Sequence, residues 1–285
     1  MNPFLLPILL SSSLIFASQG SGEPSPCIVD NCSQIQEPPA CPVACNPCDC
    51  LNNLIRIGGS YNYLWLSPEG EATFTGPLWG AQGIYEYRPQ NAIYEAVTFT
   101  YRQGHPSGVE EGEKNTRKLL NFDVQGRIGY TFAPSQFPWW NTTLFCGLGY
   151  WYMGQTLEQP DFIDVEFNYN EFYIPLGFST VTYPLSYLNI GLNFIWMPQV
   201  YPAVTIIPTG GANWILEKAL SNFLVELPIT FKLFCKENFH LEIKPFFEYW
   251  RDRQTIAETT NGIPLGVPGN TYLLPGIQLN FGGAF

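Results

Sequence analysis

Apolar and polar residues alternate along most of this chain. Residues 272–285 hold the pattern to the last position. Leu273, Pro275, Ile277, Leu279, Phe281, Gly283 and Phe285 fall on one face of a strand, and Gly276, Gln278, Asn280, Gly282 and Ala284 on the other. A period of two is the mark of a β-strand with one apolar face. The period recurs in residues 56–66, 78–88, 92–102, 120–132, 142–156, 167–182, 187–197, 222–234 and 239–251. Residues 120–132 carry it most clearly: Leu120, Phe122, Val124, Gly126, Ile128, Tyr130 and Phe132 alternate with Asn121, Asp123, Gln125, Arg127, Gly129 and Thr131. Only residues 142–156 leave the faces ambiguous, because Leu144, Leu148, Tyr150 and Tyr152 oppose Phe145, Trp151 and Met153.

These segments predict ten strands. Short turns, such as Pro89-Gln90-Asn91, alternate with mostly longer connections, such as residues 103–117 and 198–221, both read as loops. Many runs exceed the roughly 5–6 residues of an average soluble strand. They match the about 9–11 tilted residues that cross a bilayer. The expected fold is all-β: a transmembrane antiparallel barrel over residues 54–285, with residues 56–66 closing against residues 272–285. An even strand count puts both barrel ends on one side, expected to be the periplasm, with the long loops extracellular. The closing strand resembles the C-terminal insertion signal of bacterial outer-membrane proteins, carried by Tyr272, Ile277, Leu279, Phe281 and Phe285. That resemblance implies recognition by the barrel assembly machinery and residence in outer-membrane lipid.

Composition supports this picture. The chain is 16% aromatic and 13% charged, against about 25% charged residues in an average protein. Its mean hydropathy is −0.01, and no interior run approaches the roughly 18 apolar residues of a membrane helix. A net charge of −11 argues against nucleic acid as a partner.

Two segments precede the barrel. Residues 1–20 read as a signal peptide: an apolar stretch, then small residues from Ala17 to Gly20. Residues 21–53 hold Cys27, Cys32, Cys41, Cys45, Cys48 and Cys50 among frequent prolines, a composition that excludes helix or central strand. Export favours disulfides, within the segment or to other chains. The spacing Cys45-x-x-Cys48 with Cys50 also suits a zinc ion, and free thiols stay open. A signal peptide, a cysteine-rich segment and an aromatic-rich barrel together resemble the outer-membrane proteins of chlamydia-type bacteria. That resemblance implies cross-linking to other cysteine-rich envelope proteins.

The inward faces carry the candidate chemistry. Arg56, Arg88, Arg102, Arg127, Lys232 and Lys244 are set against Glu86, Asp123, Glu226, Glu242 and Glu248. Ten strands enclose little more than packed side chains, whereas open aqueous channels belong to barrels of about 16–18 strands. Balanced charge in a narrow lumen predicts a network of ion pairs. The expected role is structural or adhesive, exercised through the loops; a narrow solute or ion channel is the alternative. No enzyme activity and no cofactor are expected. The chain has two histidines, His105 and His240. His105-Pro106-Ser107-Gly108 only faintly resembles the His-x-Ser signature of outer-membrane phospholipases. The omptin pattern of Asp pairs with an Asp-x-His is absent.

Overall fold

The computed structural model describes residues 52–285 except 71, 111–112, 138, 159–164, 186, 208–212, 235–238, 256 and 259–263. The expected signal peptide and all six N-terminal cysteines lie outside the described residues. Every regular element among the described residues is a strand. In chain order these are β1 (Asn53–Pro68), β2 (Phe74–Tyr87), β3 (Ile93–Gly104), β4 (Ser107–Glu110), β5 (Glu113–Phe132) and β6 (Trp140–Glu158). Next come β7 (Val165–Tyr173), β8 (Leu176–Leu185), β9 (Leu188–Trp196), β10 (Gln199–Ile207), β11 (Asn213–Ile215), β12 (Phe223–Glu226) and β13 (Ile229–Phe234). The last are β14 (Phe239–Asp252), the short pair β15 (Ala257–Glu258) and β16 (Pro264–Leu265), and β17 (Asn270–Ala284).

These elements make a closed antiparallel barrel of ten wall strands. β17 pairs with β1 from Leu54↔Ala284 to Pro68↔Asn270, the closure expected from the sequence. The wall continues through β2, β3, β5 and β6. β6 then pairs with β7 along one half and with β8 along the other, so these two form one strand interrupted at Ile174-Pro175. β9 and β10 likewise form one strand broken at Met197-Pro198. β11, β12 and β13 form the eighth, broken before Phe223 and at Leu227-Pro228. β14 completes the ring against β17.

Proline explains three of these four breaks, all but the one before Phe223, because it has no N–H for the ladder. The neighbouring backbone still finds partners. Ile174 N donates to Pro198 O at 3.1 Å, Gly191 N to Pro228 O at 2.7 Å, and Leu227 N to Pro245 O at 2.9 Å.

Two expected loops are wholly or partly sheet. Within residues 198–221, β10 pairs in register with β7 and folds back on β11. Pro202 sits in that ladder opposite Glu171 and accepts from Leu216 N at 3.1 Å. Within residues 103–117, β4 pairs with the start of β5, from Ser107↔Thr116 to Glu110↔Glu113. Proline, glycine and charge conceal both hairpins in the sequence.

Both barrel termini sit at one end, where Phe285 N donates to Asn53 O at 2.9 Å. The short connections lie at this terminal end. One uses Asn91 at φ 52, a left-handed conformation that Asn tolerates; its side chain ties the turn to Ala133 N at 2.9 Å. The longer connections lie at the opposite, loop end.

The outward face is an apolar belt. Ile57, Val97, Val124, Ile128, Leu144, Leu148, Leu192, Ile277 and Leu279 are exposed on it. Aromatics flank this aliphatic band. Tyr85, Tyr130, Phe132, Trp139, Phe281 and Phe285 stand towards the terminal end, and Tyr63, Trp65, Trp79, Phe172 and Trp196 towards the loop end. Glu95 breaks the belt only beside the terminal-end turn. Such a face, aliphatic between two aromatic girdles, suits lipid rather than water. Leu279→Arg on this band should cost about 2–4 kcal/mol of stability in vesicles. Urea unfolding of barrel refolded into phospholipid vesicles measures this, and an unchanged midpoint would contradict lipid contact at that position.

Candidate functional site

The candidate site is the barrel interior, lined by the inward side chains. At the terminal end, Arg56 on β1 bridges Glu242 on β14 and Glu86 on β2, the latter at 2.6 Å. Glu86 also holds Arg88. Arg88 Nη2 donates to Ser179 Oγ on β8 at 3.0 Å. Glu242 accepts from Asn280 Nδ2 on β17 at 2.8 Å. The chain Asn280–Glu242–Arg56–Glu86–Arg88–Ser179 therefore crosses the lumen from β17 to β8. Arg88 also lies over the Tyr94 ring, 5.4 Å from its centroid.

Higher up, Arg102 on β3 pairs with Glu248 on β14 at 2.7 Å and donates to Asn121 Oδ1 at 3.3 Å. Lys244 on β14 meets Glu226 on β12 at 2.7 Å and Gln82 Oε1 on β2 at 3.0 Å. Asn193 Nδ2 donates to Glu226 at 2.9 Å. Arg127 Nη2 donates to Thr98 Oγ1 at 2.7 Å and stacks over Phe145. Asp123 accepts from Tyr173 Oη at 2.6 Å. Lys232 sits half-buried near the terminal end, opposite His240. Between these groups lies a cavity of about 20 Å³, lined among others by Arg102, Asp123, Arg127, Glu226 and Lys244. That holds about one water molecule.

The loop end is closed by different chemistry. Trp151 on β6 stacks on Trp250 on β14, with centroids 4.6 Å apart and planes at 14°. Tyr272 and Tyr173 meet this pair edge-on. Leu64, Leu66, Phe74, Leu78, Leu119 and Met153 are buried around it. Within this plug, Trp250 Nε1 donates to Glu171 at 2.8 Å and to Asp252 at 3.1 Å. Tyr272 Oη donates to Asp252 at 2.6 Å and accepts from Gln155 Nε2 at 2.7 Å. Gln199 Nε2 also donates to Glu171.

The inward charges expected from the alternation are thus gathered in the lower and middle interior. Three features differ from the pattern-based expectation. Tyr272, grouped with the outward insertion pattern, is fully buried and points into the plug; its even position puts it on the face opposite Ile277, Leu279 and Phe281. The fifth wall strand resolves with Phe145, Trp151 and Met153 inward and Leu144 and Leu148 outward. Glu171 and Asp252 are buried acids that do not figure among the expected lumen charges. Glu171 follows the acidic stretch of residues 158–166, and Asp252 stands at the rim of a loop. Only their alternation with Phe172 and Arg251 signals an inward face. His105 lies exposed at the loop end and His240 near the terminal end, so the two histidines do not meet. No group of three metal-ligating side chains occurs among the described residues.

No protein-family model and no curated protein sequence matches the chain. Solved structures do resemble it. The outer membrane protease OmpT from Escherichia coli aligns at TM-score 0.54 and 8% identity, covering 82% of this chain and 97% of that one. The translocator domain of the autotransporter NalP from Neisseria meningitidis aligns at TM-score 0.44 and 10% identity, covering 82% and 88%. The Pseudomonas putida toluene transporter TodX aligns at TM-score 0.35 and 8% identity, covering 82% and 90%. The fold is that of an outer-membrane β-barrel.

Buried partners removed singly leave a charge unpaired. Lys244→Met should cost about 3–5 kcal/mol, and adding Glu226→Gln should restore most of that loss. Urea unfolding followed by tryptophan fluorescence in detergent micelles tests this; additive losses in the double variant would contradict the pairing.

Proposed function

We propose that this chain is an outer-membrane barrel closed to solutes, with a structural and surface-interaction role. In this reading the terminal end and the cysteine segment face the periplasm, and the long loops face outward. The packed interior carries the proposal: the cavity among its central charges is about 20 Å³. The Arg56–Glu86–Arg88 strut and the Trp151–Trp250 stack both stand across the lumen and support this reading. Recognition lives on the loops, which a rigid wall presents. The outward alternation ending at Phe285 supports handling by the barrel assembly machinery. Catalysis is not part of the reading, because the groups most often used for proton transfer, His105 and His240, lie at opposite ends.

A narrow channel is the second reading, favoured by the charged groups around the central cavity. Planar-bilayer recording separates the two. The folded barrel should give no stable unitary currents. Stable currents from the unmodified chain would overturn the closed reading.

The cysteine segment supports a cross-linking role to other cysteine-rich envelope proteins. On non-reducing gels of intact cells the chain should run in high-mass species that collapse with reductant. A monomer band unaffected by reductant would refute it.

A further inference from the structure

The loop-end rim of the outer wall carries a feature that the closed interior does not use. Along the outward face, Trp196, Phe223, Tyr249, Leu273 and Trp65 are successive cross-strand partners from β9 to β1. Phe223 and Tyr249 stack, with centroids 5.5 Å apart. This row is the upper aromatic girdle. The next outward positions along the strands are polar: Ser221, Arg251, Thr271 and Ser67. Beyond Arg251 comes Arg253. Lys218 runs beside it, because Leu216 bridges Thr255 and Glu217 N donates to Gln254 O at 3.0 Å. Arg251 and Arg253 therefore stand one and two outward positions above the girdle, about 7 Å of strand per step, with the exposed Lys218 on the neighbouring segment. The other exposed cations among the described residues, Lys114 and Lys118, lie apart on β5.

Their present partners hold them loosely. Arg251 meets Glu69 at 2.8 Å, and Arg253 meets Glu217 at 3.5 Å, with all four side chains between 36% and 48% exposed. Gln254 Nε2 also reaches Glu217, at 3.4 Å. Exposed pairs of this kind add little stability and exchange readily. Between Glu69, Glu217, Arg251, Arg253 and Gln254 lies an open groove of about 230 Å³. Counting Lys218, the strip carries three positive and two negative charges, in a chain whose net charge is −11. Guanidinium groups match phosphate oxygens in fork geometry. Aromatic rings directly below suit the start of acyl chains.

We infer that this strip binds the phosphate-bearing headgroup of a membrane lipid through Lys218, Arg251 and Arg253, with Trp196, Phe223 and Tyr249 against its acyl chains. The inference rests on the membrane reading proposed above.

The test uses the full chain folded in neutral detergent, and then in vesicles. Native mass spectrometry compares retention of phosphatidic acid with phosphatidylcholine of the same chains. Phosphatidic acid should be retained roughly tenfold more. Lys218→Gln/Arg251→Gln/Arg253→Gln should bring the ratio close to one, whereas Lys118→Gln should leave it unchanged. Should the triple variant misfold, Arg253→Gln alone should lower the ratio about threefold, since its side chain is exposed and its loss touches no core. Equal retention of the two lipids, or undiminished preference in the folded variants, overturns this inference alone. Failure of the unmodified chain to co-float with phospholipid vesicles overturns the membrane reading and this inference with it.

Discussion

A wall with an apolar outside must satisfy its own backbone. Hydrocarbon offers no water to an unpaired amide, so a sheet with a free edge there is not viable. The β1–β17 ladder meets that requirement by closing the ring in one register from Leu54↔Ala284 to Pro68↔Asn270. The three proline breaks fall where adjacent carbonyls, such as Pro198 O and Pro228 O, still find donors. The wall is therefore interrupted along its strands without being opened between them.

Closing ten strands leaves a narrow interior, and this decides what the inward faces hold. Charges there have lost water and must be compensated by close partners. Arg56 does so by serving two carboxylates, and Glu86 by serving two arginines. Towards the loop end the interior turns to stacked indoles and aliphatic side chains, packed as in a soluble core. The charged groups bond one another across the lumen, and towards the loop end two further carboxylates, Glu171 and Asp252, sit among the aromatic rings.

Much of this is legible in the sequence. Strict alternation fixes faces, so Asp123, Arg127, Glu242 and Lys244 fall inside by position alone. The closure of β1 on β17 follows from strand parity. Hairpin extensions are not legible, because Pro202 and Gly108 carry loop signals that local composition cannot separate from a proline-tolerant ladder. The aromatic plug escapes the pattern for a different reason. Trp151 has the same apolar character as girdle aromatics, and where both faces of a strand are apolar the alternation cannot say which faces inward; Tyr272 is placed inward by parity, although its aromatic character groups it with the outward residues. Pairings across the lumen, such as Arg88 with Ser179, join residues far apart in sequence and leave no local trace.

The end of β14 shows how tightly the two faces are coupled. Trp250, Arg251, Asp252 and Arg253 alternate in, out, in, out. Trp250 and Asp252 belong to the plug, while Arg251 and Arg253 stand on the outer strip. A slip of one residue would drive Arg251 into the aromatic stack and turn Asp252 towards the apolar belt. Two buried contacts oppose that slip. Tyr272 Oη holds Asp252 from within at 2.6 Å, and Arg251 N donates to Asn222 Oδ1 at 3.0 Å. Both Asp252 and Asn222 are fully buried, so neither contact yields to water. The aromatic plug in the lumen and the charged strip above the outer girdle are thus set by one register, and neither can shift without the other.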